Sequence, residues 1–93
     1  MKIYISGKIT GDKNYRAKFQ QAESELRLLG YDVMNPAILP DGFSWTEYMC
    51  VALAMQNVCD GTLFLPDWKD SKGAIVEHHD AKVRYYSLAE IPR

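Results

Sequence analysis

The stretch DGTLFL, Asp60 to Leu65, constrains the fold more than any other part of the chain. It is a nearly continuous apolar run, so a strand made from it has no face to offer to water. Such a strand belongs in a parallel sheet with helices on both sides. The rest of the chain must supply those helices.

It does so in strict alternation. KIYIS, Lys2 to Ser6, is a short β-branched and aromatic run that ends at Gly7, and it reads as the first strand. From Asn14 to Leu29, the residues Tyr15, Phe19, Ala22, Leu26 and Leu29 recur at steps of three or four, which is the stripe of an amphipathic helix. Gly30 supplies its stop. YDVM, Tyr31 to Met34, is a second strand closed by Asn35-Pro36, and the prolines and glycine of PAILPDG make a loop. Ser44 with Glu47 forms a capping box that opens a second helix through Trp45, Tyr48, Met49, Ala52, Leu53 and Met55. After the strand at Asp60 to Leu65, a third helix is expected from Gly73 to Arg84 and a weak last strand from Tyr85 to Ala89.

Parallel strands joined by right-handed crossovers give a three-layer α/β/α fold with strand order 2-1-3-4, of the flavodoxin-like kind. In such a sheet, ligands bind beyond the carboxyl ends of the strands where the winding reverses, here between strands one and three. The loops Gly7 to Lys13 (GKITGDK) and Pro66 to Lys72 (PDWKDSK) border that crevice. The second of them leads into a helix that carries Glu77, expected in its first turn or so. A carboxylate at a helix start is favoured by the macrodipole by about 0.3–1 kcal/mol without any function. A functional reading draws on its neighbours: Ser71 and Gly73 supply hydroxyl and backbone N–H donors that can face an anion. A carboxylate beside such a site suits attack on, or stabilisation of, an anomeric carbon.

Composition narrows the classes. With 93 residues the chain has room for one domain, residues 1–93, and at 47% hydrophobic and 25% charged it has a globular balance. Eleven Lys and Arg against twelve Asp and Glu give no attraction to a nucleic-acid polymer or an anionic membrane. No apolar run approaches the ~18 residues of a membrane span. Cys50 and Cys59 lack metal or redox spacing, and MKIYISG opens on a strand rather than a signal peptide, so a cytoplasmic location is expected. His78 and His79 are adjacent and point about 100° apart on a helix, so no metal site is expected from them.

MKIYISGKITG, Pro36 to Trp45, and CDGTLFLPDWKDSKGAIVEH together resemble a family of small domains of unassigned function common in bacteria and their phages. Those domains are similar to nucleoside 2-deoxyribosyltransferases and deoxynucleoside 5′-monophosphate N-glycosidases. In these enzymes a strand-end Tyr with a Gly-containing loop, and an S-x-G-x-x-x-E segment, border the site. Tyr4 with Ser6 to Gly11 matches the first, and Ser71, Gly73 and Glu77 match the second. The resemblance implies that Glu77 is the nucleophile for the sugar C1′ and that Tyr4 helps place it. Ser6, Gly7, Lys8, Gly11, Ser71 and Gly73 would then bind a small nucleoside or nucleotide, with no cofactor. The enzymes are oligomers whose neighbouring subunits complete the site, and a homodimer is expected here; Trp45 and Tyr48 of the second helix read as core or dimer surface, in or near that contact.

One position departs from the enzymes. Where they carry an Asp about two turns ahead of strand three, alignment on Asp60 places Ala52, which can neither accept a proton nor a hydrogen bond. Asp60 itself is expected to be structural, at the far end of its strand. Trp68 can stack on a base or cover a sheet edge, while Lys8 and Lys72 can offset phosphate charge. Two classes follow: an N-glycosidase or deoxyribosyltransferase-like enzyme, and a non-catalytic nucleotide-binding module on the same scaffold.

Overall fold

A computed structural model describes every residue from Met1 to Arg93. Four parallel strands, β1 (Lys2–Ser6), β2 (Asp32–Met34), β3 (Gly61–Phe64) and β4 (Arg84–Tyr85), form a single sheet in the expected order β2-β1-β3-β4. The helices are α1 (Tyr15–Leu28), α2 (Trp45–Asn57) and α3 (Lys72–Asp80).

Alternation along the two central strands assigns each face its partners. Ile3, Ile5, Leu63 and Leu65 point to one side, where they join Phe19, Ala22 and Leu26 of α1 in the main apolar cluster. Tyr4 points to the other side and packs with Ala52 of α2 and Cys59. Glu77 of α3 reaches the same side, so α1 covers one face while α2 and α3 cover the other.

Local chemistry explains where the helices begin and end. Gly30 adopts φ +91°, and the Tyr31 N–H returns to the Leu26 carbonyl (3.2 Å) while the Gly30 N–H meets that of Arg27 (3.0 Å). This is a Schellman stop, and Tyr31 and Leu26 complete it by packing in the main cluster. At the start of α2 both bonds of the Ser44–Glu47 capping box are made, at 2.8 and 3.1 Å.

The C-terminal quarter corrects two expectations. α3 ends at Asp80 rather than Arg84, because Ala81 turns to an extended conformation. Arg84 instead donates to the exposed helix-end carbonyls of His78 (2.6 Å) and His79 (3.2 Å). The last strand is Arg84–Tyr85, and Leu88–Glu90 is a 3-10 turn where a strand through Ala89 was expected. That turn brings Ile91 onto the α1 side, where it is buried. Asp60 is structural, as expected: its Oδ2 accepts the Lys2 N–H at 2.8 Å, far from the carboxyl ends of the strands. No helix is long and apolar enough to cross a membrane.

Candidate active site

Ser71 is the N-cap of α3, its Oγ accepting the Ala74 N–H at 3.1 Å. Starting the helix at Lys72 puts Glu77 in its second turn, on the inward side with Ala74, and leaves the first turn without an acidic residue. The macrodipole explanation for Glu77 therefore loses its basis, because that effect fades beyond the first turn.

What Glu77 meets instead is β1. Tyr4 and Ser6 are two residues apart on the strand, so both face α3. The Tyr4 hydroxyl donates to Glu77 Oε2 and the Ser6 hydroxyl to Oε1, each at 2.6 Å, and all of these groups are buried. Burial raises the Glu77 carboxyl above its ordinary range, while the Ser6 and Tyr4 bonds pull the other way. Tyr4 is raised well above the usual phenol value, first by burial and then by the Glu77 charge and bond, so it stays a donor. Behind the carboxylate, Gln56 Nε2 donates to the Glu77 carbonyl (2.9 Å) and to Thr62 Oγ1 (3.0 Å), which ties α2, α3 and β3 together. Gln56 Oε1 has no partner.

Tyr4 and Glu77 form part of the wall of a cavity of about 540 Å³. The loop after β1 contributes Gly7, Ile9 and Thr10, and the start of α3 contributes Ser71, Lys72 and Gly73. The expected crevice is thus present with both of its bordering segments. Two further walls were not anticipated. The connection after β2 brings Pro36, Leu39 and Asp41, and the inner side of α2 brings Trp45, Tyr48, Met49 and Ala52. From the sequence alone Trp45 and Tyr48 read as core or dimer surface. The signal that could have found them is their place in the first turn of a helix entered from the carboxyl end of a strand. Tyr48 is fixed by a bond from its hydroxyl to the Pro40 carbonyl (2.5 Å), and Lys72 lies over the Trp45 ring at 4.5 Å.

Of the residues singled out from sequence, Tyr4, Gly7, Ser71, Gly73 and Glu77 line the cavity, and Ser6 touches Glu77 from behind it. Gly73 has a packing reason to be glycine, since a Cβ there would come within 3.1 Å of Met49 Sδ. Lys8, Gly11 and Trp68 do not line the cavity. Lys8 is held by its backbone, its N–H donating to Asp67 Oδ1 at 3.1 Å, and Gly11 serves a turn at φ +84°. Trp68 belongs to a 3-10 turn, Trp68–Asp70, that directs its ring onto His78, stacked at 4.0 Å and 8°, and against Phe64. It packs against Phe64, His78 and Tyr86 rather than lining the cavity.

Fold and site define a class: a small parallel α/β domain with a buried, hydrogen-bonded glutamate in the wall of a cavity at the carboxyl end of its sheet. The chain belongs to the family described as a domain of unknown function (DUF4406), which matches residues 1–89. No curated protein and no solved structure matches it.

Proposed function

We propose that this protein is an N-glycosidase or deoxyribosyltransferase-like enzyme acting at C1′ of a nucleoside or nucleoside monophosphate. The observation that carries the reading is the Glu77 carboxylate, buried, gripped by the Tyr4 and Ser6 hydroxyls, and set in the wall of a ligand-sized cavity. A buried carboxylate with a raised pKa is more basic than an exposed one, and the two donors hold its oxygens in one orientation.

The spacing along α3 fits a nucleotide. Gly73 and Glu77 are four residues apart and share a face, with about 6 Å of helix rise between them. The first-turn N–H groups of Lys72 and Gly73 have no intrahelical acceptor, and the Ser71 hydroxyl proton is free to donate because its oxygen serves the cap. A 5′-phosphate bound there would set the anomeric carbon near Glu77. In the proposed reaction a Glu77 oxygen bonds to C1′ as the C1′–N bond breaks, and the electron pair leaves with the base, which takes a proton from solvent. Water or a second base then opens the glycosyl ester and frees the carboxylate.

One observation favours a second reading, a non-catalytic nucleotide-binding module. Ala52 stands in the cavity wall with only a methyl group, where a second carboxylate would assist the leaving base. Either way the homodimer remains part of the proposal, since the cavity is bounded by the partly exposed Trp45.

Incubation with a panel of deoxynucleosides and their monophosphates, read as free base, tests the reading. The expected result is release that falls by on the order of 10³-fold or more in Glu77→Gln while binding persists. Release that survives this substitution would sink the mechanism. Release only after Ala52→Asp, with none from the unaltered chain, would favour the binding module.

A further inference from the structure

The loops after β1 and β3 are joined by a clasp that the Glu77 chemistry does not use. Lys18 of α1 points its ammonium between them and spends all its N–H donors there. One goes to the Lys8 carbonyl (2.8 Å), one to Asp12 Oδ2 (2.6 Å), and one to Asp67 Oδ2. Asp67 uses its other oxygen to accept the Lys8 N–H. The three side chains are only 26–29% exposed, so the pairs are partly shielded from salt and water.

The clasp closes a ladder that runs inward to the site. Next to it, Gly7 lies so close to the other loop that a Cβ there would come within 2.9 Å of Leu65 Cδ1. One step further in, the Leu65 N–H donates to the Ser6 carbonyl at 2.8 Å. Ser6 carries one of the hydroxyls that hold Glu77, and the chain beyond Asp67 leads through a 3-10 turn to the Ser71 cap of α3. The distance between β1 and α3 is therefore set at one end of this ladder. Remove the ammonium and two carboxylates that shared it face each other, a like-charge pair that drives the loops apart.

We propose that Lys18 is a positioning residue that holds the two crevice loops in register and so keeps Ser6 and Tyr4 on the Glu77 carboxylate. The proposal rests on Glu77 as the working group of the site, but its test needs no substrate. Two quantities are followed in the folded protein: the Glu77 titration midpoint, by carboxyl ¹³C NMR, and the exchange rate of the Lys8 amide. Lys18→Met is expected to speed Lys8 exchange at least about tenfold and to raise the Glu77 midpoint further, because the Ser6 and Tyr4 bonds that pull it down are lost. Loss of a positive charge by itself acts in the same direction, so the control is Lys13→Met, which removes an exposed charge from the same loop without touching the clasp and is expected to leave both readings near their original values. Lys18→Arg, which keeps the charge and several donors, is expected to restore both readings in large part. Asp67→Asn tests the same link from the other loop should Lys18→Met not fold. If both readings stay at their original values in Lys18→Met, or in Asp67→Asn where that variant stands in, the proposal is overturned. Failure of the enzymatic reading looks different: no base release from a protein whose clasp variants still shift Glu77.

Discussion

The two faces of this sheet are built from the same alternating strands yet do different work. On the α1 side lies a cluster of ten buried residues, closed by Ile91 from the chain's end and by the Schellman stop of α1. On the α2 and α3 side the apolar cluster is three residues, Tyr4, Ala52 and Cys59, with Phe64 and Ala74 also buried, and among them lie the buried polar groups of Ser6, Gln56, Thr62 and Glu77. Burying polar groups costs stability unless each finds a partner, and here nearly all do, with Gln56 Oε1 the exception. One face supplies the stability that lets the other bury a carboxylate. A domain this small has little apolar area to spare, so chemistry confined to one face is an economical arrangement.

The most severe way to break this division is to open the apolar face. Leu26 is fully buried between α1 and the sheet, and Leu26→Ala should lower the unfolding free energy by about 2–5 kcal/mol, measured by urea denaturation. A loss under about 1 kcal/mol would mean that the α1 face is not the seat of stability.

Legibility in the sequence followed the same division. The face that depends on periodicity could be read directly: the α1 stripe, the Gly30 stop and the DGTLFL strand all carry patterns dictated by burial. The strand order followed from alternation and crossover handedness. What could not be read depends on tertiary placement. β4 is two residues long and is defined by pairing with β3, Thr62 to Arg84 and Leu63 to Tyr85, rather than by any pattern of its own. Trp68 was placed near the crevice by its loop, but the direction of its ring is set by a 3-10 turn and a stack on His78. Glu77 was singled out correctly as a residue beside the crevice, whereas its hold by Ser6 needed the β1 to α3 distance. The walls from Pro36 to Asp41 and from α2 reach the cavity only because β2 sits at the edge of the sheet beside β1.

The polar face makes the opposite prediction under mutation. Glu77 binds its proton more tightly in the folded protein than in the unfolded chain, because its folded pKa is raised above the ordinary 4.5. Its favourable contribution is therefore complete below about that value and is lost as pH rises through the folded midpoint, where the buried carboxylate must ionise. Glu77→Gln carries no such loss. At pH 8 this variant should be as stable as the parent or more so, and the gap should close as both are titrated toward pH 4. Thermal melts of the two proteins across this range give the answer. A variant less stable than the parent at pH 8 but equal to it in acid would show that the ionised carboxylate contributes to folding, and the polar face would then be structural.

The smallest effect on the fold is expected at the outer surface of α2, where the comparison extends to a second copy. α2 has 13 residues, WTEYMCVALAMQN, with Glu47 its one charge, yet only Ala52 and Gln56 are buried. Val51 is 46% exposed, Ile75 of the neighbouring α3 is 49% exposed, and Trp45, on the cavity side of α2, still exposes 42% of its surface. A helix apolar around most of its circumference is normally covered, and in the proposed homodimer this surface meets its equivalent. Tyr48 is turned inward to Pro40 and the cavity, so among the aromatic residues of α2 it is Trp45 that is available to such a contact. Val51→Glu should leave monomer stability within about 0.5 kcal/mol of the parent, since the position is exposed. Light scattering at tens of micromolar should nevertheless show the parent as a dimer and the variant as a monomer, because an interface between two copies would bring the new charge against its own equivalent or into apolar surface. A monomeric parent at that concentration would remove the homodimer from the proposal and leave the apolar side of α2 as bare surface, with the cavity bounded by this chain alone.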